Sequence, residues 1–192
     1  MDRDESGAAG LEALRVRLAL WVVAVGALLG ACEPGPGGRI PLVLEATPEV
    51  IGGAVSGAEA IERLTEATLR CVQAVDVVGL EQWICEVDNS AGSDNARYFV
   101  TVLADTEDRL RFIDAQVMAV GDARAAEGFA SFFRDTVVGR LLPDPAGNQQ
   151  AGRWLEGHVD GTGSGDLGSV HMRLDRLGRT VRLQLSQAAD GG

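Results

Sequence analysis

The chain carries a twelve-residue apolar run, Leu18-Ala-Leu-Trp-Val-Val-Ala-Val-Gly-Ala-Leu-Leu29, that leads directly into Gly30-Ala31-Cys32. Crossing about 30 Å of hydrocarbon takes a helix of about 20 residues, so this run is too short to span a bilayer and has the length of an export-signal core. Whatever folds is therefore expected to lie after the run and on the far side of a membrane. The segment ahead holds Arg3, Arg15 and Arg17 but also Asp2, Asp4, Glu5 and Glu12, and so lacks a signal's usual positive charge. Translation from Val16 would leave only Arg17 before the core.

Leu29-Gly30-Ala31-Cys32 resembles the lipobox of bacterial lipoproteins, in which a leucine and two small residues precede a cysteine. The resemblance implies cleavage between Ala31 and Cys32, a diacylglycerol thioether on Cys32, and, as is usual in that family, acylation of its new amino group, with palmitate the expected acyl chain. It predicts a signal peptide over 1–31 and a membrane partner reached through the lipid on Cys32. The domain would then sit on the extracytoplasmic side of the cell envelope.

Once Cys32 is consumed by lipid, Cys71 and Cys85 remain as an even pair in an oxidising compartment, and a disulfide is the expected outcome. A redox pair or a metal site would want closer spacing or histidines nearby. From Cys32 onward 24 acidic residues face 14 arginines, with no lysine in the chain. That balance argues against nucleic acid and against adhesion of the domain itself to anionic lipid.

Glu33-Pro-Gly-Pro-Gly-Gly38 has no side chain suited to a core and reads as tether. The expected layout is a tether over 32–47, one domain over 48–188 and a disordered tail over 189–192. Leu42-Val-Leu44 reads as the start of an edge strand. Ser56-Gly-Ala-Glu59 has capping-box spacing, and the apolar positions after it predict a helix over 57–75 with Cys71 on its inward stripe. Period-two patterns then predict strands over 83–87, 97–103 and 109–118, the middle one apolar on both faces and so central.

A second helix is expected over 123–141, ending before Pro143-Asp-Pro. Strands over 154–159, 169–175 and 180–186 follow. In the last two, Val170, Met172, Leu174 and Val181, Leu183, Leu185 share one face, while His171, Arg173, Arg182 and Gln184 share a wet one. The fold class is therefore α+β: two successive units of a helix plus three antiparallel strands. Trp83 and Trp154 echo one another at equivalent places, in keeping with an internal duplication. In outline this resembles the tandem repeats of the beta-lactamase inhibitor protein fold; a nuclear-transport-factor-like cone is the alternative.

No catalytic motif is evident, and no cofactor is implied. His158 and His171 on neighbouring strands, with Glu156 or Asp160 as a third ligand, are weak metal candidates without a zinc spacing signature. Asp160-Gly-Thr-Gly-Ser-Gly-Asp166 alternates oxygen side chains as calcium loops do, but its twelfth position is His171 rather than glutamate, which favours a plain hairpin loop. The reading that results is a non-catalytic, lipid-anchored protein that binds another envelope protein or a cell-wall component through His171, Arg173, Arg182 and Gln184. An exported hydrolase or metal-dependent enzyme using His158 and His171, and a carrier of lipid or a small ligand, are the alternatives.

Overall fold

The computed structural model describes residues 39–44, 46–74, 79–89, 95–119, 129–158 and 162–189. The signal, Cys32, the stretch 33–38, the start of the second expected helix, Val159, Asp160 and Gly161 lie outside the described residues. Arg39–Gly192 is one compact unit. Its elements are α1 (Gly57–Glu66), β1 (Arg70–Gln73), β2 (Glu81–Asp88), β3 (Ala96–Ala104) and β4 (Leu110–Ala119), then a continuous helical stretch α2 (Phe129–Ser131, Phe132–Val138, Gly139–Leu141). After these come α3 (Pro145–Gly157), β5 (Gly163–Leu167), β6 (Val170–Leu177) and β7 (Thr180–Gln187). The class is α+β, as expected.

Among the described residues the strands form one seven-stranded antiparallel sheet in the order β1-β2-β3-β4-β7-β6-β5. The helices pack on one face. Tyr98, Val100 and Val102 of β3, Ile113, Ala115 and Val117 of β4, and the apolar rows of β6 and β7 meet Leu64, Phe133, Val137, Leu141 and Leu155 there in a single core. Alternation sends Phe99, Thr101 and Leu103 to the opposite face, and these too are buried, so β3 is covered on both sides as its sequence predicts.

α1 begins where expected. Ser56 Oγ accepts from Glu59 N at 3.2 Å, and Asp108 of the β3–β4 turn accepts from Ala58 N at 2.9 Å. The turn is thereby docked on the helix start, and a side chain at Gly57 would meet Ala104 Cβ at 2.7 Å. The helix stops nine residues short of the predicted end, because Thr68 takes the left-handed conformation (φ 71°) and the chain enters β1. Cys71 therefore lies on an edge strand directly opposite Cys85, bonded to it with Cα atoms 3.9 Å apart. The disulfide exists, but it joins strand to strand rather than helix to sheet.

Two further expectations are corrected. Trp154 does not open a strand; it sits in α3, which Asp144 caps by accepting from Ala146 N and Gly147 N and which Pro145 pre-organises at its first turn. Asp144-Pro145 is a helix start, whereas the proline was expected only to end the helix before it. The missing strand is β5, within the glycine-rich stretch read as a loop. A Cβ at Gly165 would lie 3.1 Å from Trp154 Nε1, and one at Gly163 2.3 Å from His158 Cδ2, so these glycines let the Trp154–His158 stack lie flat on the sheet. Because Trp83 lies on β2 and Trp154 on α3, the two tryptophans are not equivalent.

The β3–β4 turn is built on Asp105, whose carboxylate accepts from Glu107 N, Arg109 N, Arg109 Nε and Arg111 Nε at 2.9–3.0 Å. Burial works to raise its pKa, but the hydrogen bonds from Arg109, Arg111 and the turn amides outweigh that and hold it well below the ordinary carboxylate range. A depressed folded-state pKa means that the stabilisation is complete above about pH 4, the unfolded value, and is lost as pH falls through the folded one. Asp105→Asn should therefore cost roughly 1.5–3 kcal/mol at pH 7, with the gap to wild type narrowing in acid, as urea melts between pH 7 and 2 would record. Replacing both Cys71 and Cys85 with alanine should cost about 3 kcal/mol, read as a lowered melting temperature of the non-reduced protein. An unchanged melting temperature would show that the edge strand contributes nothing to the cooperative unit.

Candidate functional site

The face of the sheet opposite the helices carries the polar residues that the strand alternation predicts, and it divides into two zones. Toward the β5 edge it is wet. Arg173 is 60% exposed and pairs with Asp175 at 2.9 Å, and His171 Nδ1 contacts Asp166 Oδ1 across the β5–β6 pair. Gln184 stands opposite both Arg173 on β6 and Asp114 on β4.

Toward the centre the same face is closed. Asp114 is 1% exposed, and its carboxylate takes a forked ion pair from Arg182, Nε to Oδ1 at 2.6 Å and Nη2 to Oδ2 at 3.1 Å. Arg182 keeps only 12% of its side-chain exposure. It was expected among the wet residues; the buried carboxylate on the neighbouring strand draws it inward instead. Gln116, also 1% exposed, donates from Nε2 to Asp114 Oδ2 at 2.9 Å.

The rest of Gln116 is turned to the first residues of the compact unit. Ile40 N donates to Gln116 Oε1 at 2.9 Å, and Gln116 Nε2 donates to Ile40 O at 3.0 Å. Arg39 Nη1 donates to Thr101 Oγ1 at 2.9 Å, and Thr101 stands directly opposite Asp114. At the far end of the segment Arg111 Nη1 donates to Pro48 O at 3.3 Å. Residues 39–44 and 46–47, expected within the tether, thus belong to the same compact unit as the sheet. Leu42–Leu44 form no strand. Pro41 has no N–H for a ladder, and the polar contacts of this segment are with side chains.

Of the four residues predicted for a binding surface, all share this face, but only His171 and Arg173 lie in its exposed zone. Arg182 belongs to the closed zone, and Gln184 is half-buried between the two. The histidines do not converge. His158 donates from Nδ1 to Trp154 O at 2.7 Å and lies on the helix side of β5, whereas His171 lies on the other side with Asp166. The shared centre on which an enzyme using both was predicated is therefore not formed. Among the described residues no three His, Cys, Asp or Glu side chains gather as a metal site.

Thr101, Asp114, Gln116 and Arg39 were not singled out from sequence. The signal was present in Asp114 and Gln116, two polar residues two apart on a strand otherwise apolar on that stretch. Comparison with protein-family models, with curated proteins and with solved structures finds no match.

The forked pair yields a sharp expectation. Arg182→Leu alone should cost about 3–5 kcal/mol by leaving a buried carboxylate uncompensated, while the double variant Asp114→Leu with Arg182→Leu should recover most of that loss in denaturant melts. Equal destabilisation of single and double variants would mean that the pair does more than neutralise itself.

Proposed function

We propose that this chain is a lipid-anchored, non-catalytic protein of the bacterial cell envelope. Its extracytoplasmic domain binds another protein or a cell-wall component through the exposed zone around His171 and Arg173. The observation that carries the reading is the fate of the cysteines. Two of the chain's three cysteines are joined to each other, which suits an oxidising compartment, and the third, Cys32, stands behind an apolar run of export-signal length in a lipobox-like setting.

The fold's outline supports an internal duplication of the kind seen in the beta-lactamase inhibitor protein fold. β2-β3-β4 and β5-β6-β7 occur in mirrored order about the β4–β7 pair; α1 precedes the first set with the short edge strand β1 between, and α2 and α3 precede the second. A nuclear-transport-factor-like cone is the alternative outline.

Cys32→Ser should leave an unlipidated, uncleaved precursor, seen as a larger species that takes up no labelled fatty acid; normal processing of that variant would refute the anchor. For the surface, a photo-crosslinking residue at position 173 should form a discrete adduct in intact cells, and one at position 62, on α1, should not. Adducts from both positions alike, or from neither, would count against the exposed zone.

A further inference from the structure

We propose that Arg39–Ile40 is an internal latch: it occupies in cis a site on the closed zone that reads the main chain of an extended peptide, and a partner's extended segment with an arginine followed by an apolar residue takes its place. This goes beyond the reading of the exposed zone as a binding surface: it adds a site on the closed zone of the same face and names its ligand's chemistry.

The geometry of Gln116 is the ground for it. In an extended chain the N–H and C=O of one residue point to the same side, and the Gln116 carboxamide meets both groups of Ile40, as a neighbouring strand would. Pro41 biases Ile40 toward that extended conformation. The amide cannot turn over, because Nε2 must give its second hydrogen to Asp114 Oδ2, and Asp114 is in turn fixed by the Arg182 fork. Thr101, 1% exposed, adds an acceptor for a guanidinium one residue earlier. Two buried polar side chains, Thr101 and Gln116, the second held in place by Asp114, are thus pre-set to receive an arginine side chain and the next residue's peptide groups.

The occupant is held lightly by comparison. No strand pairing joins the segment to the sheet, Pro41 is exposed, and Val43 is 78% exposed. Because the segment is covalently attached, its effective concentration at the site is on the order of millimolar, which is enough to keep a modest site closed until a better or more concentrated segment arrives.

The test uses the processed full chain in detergent and a fluorescent peptide with the sequence of residues 39–48. Ile40→Pro removes the N–H that Gln116 accepts, and this variant should bind the peptide about tenfold more tightly than wild type does, the factor by which a latch closed nine-tenths of the time lowers apparent affinity. Arg39→Ala, which leaves the main chain intact, should shift binding the same way by less. Adding Gln116→Leu to Ile40→Pro should abolish the gain, with cooperative melting of each variant as the check on folding. Binding by Ile40→Pro and Arg39→Ala no tighter than wild type, or a gain that survives Gln116→Leu, would overturn the latch. Adduct formation at position 173 reports on the exposed zone independently, so either reading can fail while the other stands.

Discussion

The pairing of β4 with β7 holds the domain together, because among the described residues it is the one pairing between strands far apart in sequence. Without it the sheet would fall into β1–β4 and β5–β7, pieces with too little buried surface to stand alone. Both faces reinforce the seam. On the helix side Ile113, Ala115 and Val117 stand opposite Leu185, Leu183 and Val181; on the other, Asp114 holds Arg182. Phe133, Val137 and Leu155, from the helices between the two strands, pack into the core above it, so the burial that fixes the helices also closes the seam. Such non-local pairing makes the loop-closure cost precede most of the reward, which places the domain among slower folders.

The parts legible in the sequence are those where one physical signal acts alone. Strict alternation from Val170 to Leu185 has no competing reading, and β6 and β7 fall where it puts them. β3 reads as central because both its faces are apolar. The failures occur where two signals overlap. After Leu64, Cys71 and Val72 continue a helical period that Thr68 interrupts through backbone conformation alone, so β1 stays hidden. β5 is obscured because Trp154 and His158 lie where side chains of Gly163 and Gly165 would be; a strand face shaped by another element's bulk looks, in one dimension, like a turn. α3 was misread because Pro145 both bars helix continuation and favours helix initiation, and only Asp144 before it distinguishes the two.

The exposed half of the candidate site was legible for the same reason as its strands: His171 and Arg173 are simply the alternate residues of a clear period. The closed half was not, because sequence alternation gives the face a residue occupies and not what covers it. Arg182 and Gln184 share the parity of Arg173, yet the former turns to a buried carboxylate on a strand from the other half of the chain. That partnership depends on which strands are neighbours, and no local pattern encodes strand order.

A charged pair buried in a sheet adds little net stability over an apolar pair of similar size, so its value must lie elsewhere. The apolar row Val181, Leu183, Leu185 would tolerate β7 sliding two residues along β4, since that keeps every side chain on its own face. Arg182 stands opposite Gln116, so the slip that sets it opposite Met118 carries it roughly 7 Å further from Asp114 and strands both charges. The pair therefore excludes one register that the hydrophobic pattern allows. Gln116 takes its orientation from Asp114, and Ile40 is bound through Gln116, so the hold on Ile40 depends on the seam between the two halves being correctly joined. The same buried carboxylate thus bears both on the register of the seam and on the hold over Ile40.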